Sequence, residues 1–147
     1  MKTNLYETDF YLWTVEQSQL LALGKLDGLD LVNLVEEIES LGKQQKQELR
    51  NRLGVLMGHL LKWQYQPEKR SKSWRSTIRE QRRETQKIIA ENPSLKSYLE
   101  EAIIDGYESA LDLAVRETPF DYQDLPQECP YSIAQIFDHN FSVDLEA

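Results

Sequence analysis

The chain has 147 residues, 40% of them hydrophobic and 29% charged, with a formal net charge of −8, two His and one Cys. This size fits one domain of roughly 100 to 200 residues, and the apolar content is enough for a core, which excludes wholesale disorder. The single Cys excludes an intrachain disulfide framework and a Cys-rich zinc module. No apolar run approaches the roughly 18 residues of a membrane span, and Met1 to Trp13 has neither a basic nor a continuous apolar segment. The expectation is a soluble, cytoplasmic protein with one helical domain over residues 1–147.

Asp9 is placed to cap a first helix running to about Leu23, with Gly24 as its stop. Phe10, Trp13, Leu20 and Leu21 share one arc of it. Asp30 can cap a second helix in which Leu31, Leu34, Val35, Ile38 and Leu41 recur at helical spacing. Gly42 interrupts the pattern, and Leu49, Leu53, Leu56, Leu60 and Trp63 resume it. Residues 30–65 therefore read as one long helix, or as two with a break near Ser40 to Lys43. Gln66-Pro67 should end this stretch, because Pro lacks the donor and disfavours helical geometry in the residue before it.

Ser71 or Ser73 can start a third helix to about Glu91, with Trp74, Ile78, Ile88 and Ile89 on one stripe, and Asn92-Pro93 closes it. Ser94 can cap a fourth helix to about Glu117. Its arc of Leu95, Leu99, Ala102, Gly106, Ala110 and Leu113 is widened by Ile104, Tyr107 and Leu111. A helix apolar around more than half its circumference is either central or touches a partner. Beyond Thr118-Pro119 only Ser132 to Phe137 reads as a short helix. No period-2 strand pattern occurs. The expected fold is all-α: a four- to five-helix bundle over about 9–117, with an irregular acidic tail over 118–147 packed on its surface.

Charge is unevenly distributed. From Lys62 to Lys87 nine Lys/Arg face three Glu, a local balance of +6, whereas Thr118 to Ala147 contains no Lys or Arg. On a helical wheel Lys72, Arg75, Arg79, Arg82 and Arg83 fall within about a third of the circumference of the third helix. Arg75/Arg79 and Arg79/Arg83 are like-charge i,i+4 pairs, each mildly destabilising, so an anionic counterpart is expected. It could be the Glu36 to Glu39 cluster, the acidic tail, a second subunit or an external polyanion. Trp63, Tyr65 and Trp74 flank the basic loop, where stacking on unpaired bases would suit a nucleic-acid factor; the simpler reading is an internally neutralised face with the aromatics in the core.

Enzymatic motifs are scarce. Neither His59 nor His139 has the Glu three residues earlier that a di-metal bundle site requires, and Cys129 sits among carboxylates that oppose a reactive thiolate. Nucleophile-elbow, phosphate-loop and dinucleotide motifs do not occur. One constellation is geometrically open to an enzyme or small-ligand site: Glu37 or Glu39 with Arg52 and His59, provided the two halves of 30–65 fold back on each other. The simpler reading is an interhelical salt bridge and a boundary histidine. No metal or cofactor is expected.

The run Leu61-Lys62-Trp63-Gln64-Tyr65-Gln66-Pro67-Glu68, followed by Ser73-Trp74-Arg75-Ser76-Thr77-Ile78 and Gln81-Arg82, resembles a family known as domain of unknown function 29. Tyr6 to Trp13, Glu36-Glu37-Ile38-Glu39-Ser40-Leu41-Gly42 and Glu128-Cys129-Pro130-Tyr131 also resemble it. The similarity runs from about Tyr6 to Phe141, and Trp63 and Trp74 match the family's two hallmark tryptophans. The resemblance implies an all-helical, intracellular, mainly cyanobacterial single domain, and no particular activity, substrate or catalytic residue. The leading expectation is a non-enzymatic bundle acting through protein contacts, as a homo-oligomer, through the Ile104/Tyr107/Leu111 arc or the charged faces, and without a membrane. A nucleic-acid factor using the basic face comes second, and the Glu37/Glu39/Arg52/His59 site third.

Overall fold

The computed structural model describes residues 4–141, which are all helix, turn or irregular backbone, with no strand. The all-α expectation holds. Six α-helices are formed: α1 (Leu5–Thr8), α2 (Phe10–Ala22), α3 (Leu31–Tyr65), α4 (Lys72–Glu91), α5 (Leu99–Glu117) and α6 (Ile133–Phe137). The chain divides into two compact units, Met1–Gln44 and Gln45–Ala147.

The first unit holds α1, α2, the 3-10 turn Leu26–Gly28 and the start of α3. Asp9 caps α2 as its side chain implies, accepting from the Leu12 N–H at 3.1 Å. Gly24 takes φ +69° just past the helix end, where the Lys25 N–H returns to the Leu20 carbonyl at 2.9 Å. This 6→1 closure needs a left-handed residue, which glycine supplies without a Cβ penalty. The turn α1 was not anticipated. Asp30 caps α3, accepting from the Asn33 N–H at 3.4 Å and from the Asn33 side-chain amide at 2.7 Å.

Gly42 does not break α3, which is continuous from Leu31 to Tyr65. An interior Gly costs a helix about 1 kcal/mol relative to Ala, less than opening the surrounding hydrogen bonds would cost.

In the second unit the later part of α3 packs with α4, α5 and the segment after Glu117 around one core, including Leu53, Leu60, Ile78, Ala102, Ala110 and Ile136. Glycines set how closely α3 and α5 cross. A Cβ on Gly54 would lie 3.1 Å from the Gly106 carbonyl oxygen, one on Gly106 would lie 3.0 Å from that of Arg50, and one on Gly58 would meet the Ala110 carbonyl at 3.3 Å. The backbones touch where side chains would ordinarily keep them apart.

Ser71 caps α4 through the Trp74 N–H at 3.1 Å. The expected Ser94 cap does not form: Pro93–Tyr98 is a 3-10 turn, and α5 begins only at Leu99. Of the arc assigned to the outer face of α5, Ile104 is exposed, but Tyr107 is buried and gives its hydroxyl to the Pro126 carbonyl at 2.6 Å. Leu111 is half-buried. The segment after Glu117 is integral to the core rather than a surface layer, because Leu125, Tyr131 and Ile136 are all buried. Ser132 and Gln135 form a reciprocal capping box at the start of α6. Residues 142–147 of the expected tail lie outside the described residues.

Candidate functional site

In the first unit α2, the 3-10 turn and the start of α3 enclose a cleft of about 760 Å³. Its floor is a polar knot. The indole N–H of Trp13 donates to an Asp30 carboxylate oxygen at 3.0 Å, and the Gln17 side-chain oxygen accepts from the Asp30 backbone N–H at 2.8 Å. Trp13 and Gln17 are both buried, so these bonds fix the turn joining α2 to α3. Tyr6 and Phe10 pack on Trp13 with ring centroids at 4.7 and 5.7 Å. The hydroxyl of Tyr6 is held above its ordinary pKa by desolvation and then by the Glu37 and Glu36 carboxylates.

The walls are apolar and open. Leu12, Leu31 and Val32 line the cleft and are all exposed, with Glu16 among them as a charged rim group. The apolar stripe of α3 found by its helical spacing continues this surface: Leu31, Val35, Ile38 and Leu41 are each more than half exposed, from 54% for Val35 to 66% for Ile38. On α2, Phe10 and Leu21 of the expected arc are exposed as well, leaving Trp13 inside. Eleven large apolar residues are exposed in this unit, against Ile104, Tyr122 and Ile133 in the second, among the described residues.

The candidate catalytic groups are not brought together. Glu37, Glu39, Arg52 and His59 all lie on the single helix α3, so the fold-back their convergence required does not exist. Arg52 pairs with Glu48 one turn earlier at 3.0 Å and reaches the Gln81 side chain at 3.3 Å. The His59 ring donates from Nδ1 to the Val55 carbonyl at 2.9 Å, and burial, followed by the nearby Lys62, lowers its pKa. Burial also pushes the Cys129 thiol up, away from thiolate chemistry, and its sulfur lies 3.6 Å from that of Met57. Among the described residues no cluster of His, Cys, Asp and Glu is arranged to hold a metal.

The basic face divides. Lys72, Arg75, Arg79 and Arg83 are exposed on α4, but Arg82 is not part of any surface. It is only 1% exposed, donating from Nε to the Ile136 carbonyl at 2.8 Å and from Nη2 to those of Gln135 and Phe141 at 3.2 and 3.0 Å. A guanidinium thus closes the C-terminal end of α6, where helix carbonyls lack partners. On the wheel Arg82 sits at the edge of the basic arc nearest the apolar stripe, and the long side chain turns inward from there.

The two hallmark tryptophans belong to the core and its margin. Trp63 is buried with Arg70 over its ring at 5.0 Å, and its carbonyl accepts from Arg70 Nε at 2.7 Å. Trp74 is half-buried beneath the Lys62 ammonium at 4.5 Å, which also pairs with Glu117 at 2.7 Å. Burial withdraws Trp63 from base stacking, and Lys62 covers one face of Trp74.

A family model, Domain of unknown function DUF29, matches residues 5–142. The chain belongs to that family. The match takes in both units, so the glycine-lined crossing and all of the N-terminal cleft lining but Asn4 are within the DUF29 region. Among curated proteins and solved structures nothing matches the chain. No helix among the described residues of this DUF29 protein is long and apolar enough to cross a membrane. Sequence reasoning missed the Trp13–Asp30–Gln17 knot because Asp30 read only as a cap. The exposed stripe was found as a stripe, but periodicity reports which residues share a face and is silent on what covers it.

Proposed function

We propose that this DUF29 protein works through protein–protein contact rather than catalysis, and that the Met1–Gln44 unit is the contact element, taking a second copy of the chain. The observation that carries this reading is the balance of that unit: among its described residues the one buried large apolar side chain is Trp13, beside eleven exposed ones. Exposed large apolar side chains in that number, beside a single buried one, are what an interaction surface presents.

The choice of a second copy rests on spacing. Leu31, Leu34, Ile38 and Leu41 follow the alternating three- and four-residue steps of a helix-pairing seam, and polar Gln45 and Glu48 occupy the next positions in that series. A seam of two heptads presented by every copy is self-complementary, as a two-fold interface requires. The test is sedimentation velocity from about 1 to 100 μM, comparing the natural sequence with Leu31→Glu/Ile38→Glu, whose positions are 64% and 66% exposed and therefore accept charge in the unpaired chain. At 0.5 M NaCl, where contacts between exposed charges are screened, association of the natural sequence and a monomeric variant with unchanged helical circular dichroism are expected. A natural sequence that stays monomeric at 100 μM refutes the proposal.

A further inference from the structure

The second unit carries two charged rows that match each other. Lys72, Arg75, Arg79 and Arg83 are all exposed on α4 at steps of three, four and four residues, so the row spans eleven residues, or about 16 Å at 1.5 Å per residue. Among the described residues Lys72, Arg75 and Arg79 form no ion pair, and Arg83 has only its neighbour Glu84 at 3.6 Å. On α5, Glu101, Asp105, Glu108 and Asp112 are exposed at steps of four, three and four, again eleven residues. Among the described residues none of the four forms an ion pair: Asp112 accepts the Tyr122 hydroxyl at 2.7 Å, and Arg50 feels Asp105 and Glu101 at a distance.

We infer that the basic row of α4 docks on the acidic row of α5 in a second copy of the chain. Laid antiparallel, Lys72 meets Asp112, Arg75 meets Glu108, Arg79 meets Asp105 and Arg83 meets Glu101, with no pair more than one residue out of register. The antiparallel sense also sets opposite helix dipoles side by side. The contact relieves the like-charge repulsion of Arg75/Arg79 and Arg79/Arg83, against which the described residues set only the Arg83–Glu84 pair. Ile104, 68% exposed beside the acidic row, supplies an apolar element at its edge. Each copy carries both rows, so the contact is doubled in a two-fold pair or repeated head to tail. It uses residues entirely separate from those of Met1–Gln44. Exposed pairs gain little individually and are screened by salt, so this is a weak, ionic-strength-dependent association, distinct from one driven by apolar burial.

The experiment compares three proteins by sedimentation velocity at 0.05 and 0.5 M NaCl: the natural sequence, Arg75→Glu/Arg79→Glu and Asp105→Arg/Glu108→Arg. All four positions are exposed, so circular dichroism should show every variant folded. The natural sequence is expected to gain mass with concentration at low salt, with the association at least about tenfold weaker at high salt. Each variant alone should lose this salt-sensitive step, and an equimolar mixture of the two should regain it, since each then meets a row of opposite sign. Loss of the N-terminal contact alone, as in Leu31→Glu/Ile38→Glu, should leave the step in place. Salt-sensitive association that survives in either variant, or a mixture that fails to regain it, overturns the inference. So does a row that binds single-stranded RNA, with binding lost in Arg75→Glu/Arg79→Glu while self-association is unaffected; the basic row would then be a polyanion site.

Discussion

Replacing Gly106 by Ala tests the close approach of α3 and α5 most directly. The added methyl carbon would sit 3.0 Å from the Arg50 carbonyl oxygen, 3.4 Å from the Gly54 amide nitrogen and 3.4 Å from Met57 Cε. Two of these three neighbours are backbone of α3 and cannot rotate away, so the helices must separate by a few tenths of an ångström. Overpacking of this kind costs about 1–3 kcal/mol, against a helix-propensity gain of about 1 kcal/mol from Gly to Ala. The net expectation is a loss of about 1 kcal/mol, reaching about 2 if the contacts around Gly54 and Ala110 loosen together. Gly42→Ala is the control, because no atom lies within 4 Å of its added carbon. There only the propensity gain remains, and stability should rise by about 1 kcal/mol. Urea denaturation followed by circular dichroism measures the Gly106 variant, and amide exchange around residue 42 measures the local gain, about fivefold in protection. A Gly106→Ala protein as stable as the natural sequence would refute the claim that backbone contact limits this crossing.

Arg82→Ala should destabilise the second unit by about 3 kcal/mol, since the Ile136, Gln135 and Phe141 carbonyls all lose a charged donor in or near the core; limited proteolysis should then cut within 126–141, and unchanged resistance would contradict the role given to Arg82. His59 makes stability depend on pH in a predictable sense. Its folded pKa lies below the unfolded value of about 6.5, so the unfolded chain takes up the proton first, and stability falls as pH drops below about 6.5. His59→Gln should flatten the urea midpoint between pH 7.5 and 5.5. Glu117 has its pKa lowered, chiefly by the hydrogen bond from Lys62, so its contribution is present above the ordinary carboxylate range and is lost as pH falls through the lowered value. Glu117→Gln should remove that acid limb and leave buried Lys62 without its carboxylate, lowering stability at pH 7 as well, measured by the same titration.

Local chemistry was the part of the fold most open to reading from residues. Asp9, Asp30, Ser71 and Ser132 each cap the helix their side chains suit, and Gly24, Pro67 and Pro93 stop helices where donor loss or a left-handed residue requires it. These effects act over three or four residues and depend on nothing distant. Gly42 illustrates the limit: its cost is local, but whether a helix survives it depends on both flanks, and here both are long. Ser94 fails as a cap because Pro93 and the burial of Leu95 and Tyr98 favour a 3-10 turn in its place. For the candidate site the residues were visible and their environment was not. Arg82 shares a wheel sector with Arg79 and Arg83, yet carbonyls more than fifty residues away accept from it in the interior. Leu31, Ile38 and Leu41 were legible as one stripe, but spacing alone does not say what covers a stripe, and here they remain open.

Arg82 also sets an order of events during synthesis. Its carbonyl partners follow it by 53 to 59 residues, an interval of about 3 to 12 s at a translation rate of 5–20 residues per second. Throughout that interval α4 has been made while these three carbonyls have not. A chain cut short before Gln135 would lack all three acceptors, however complete its longer helices were.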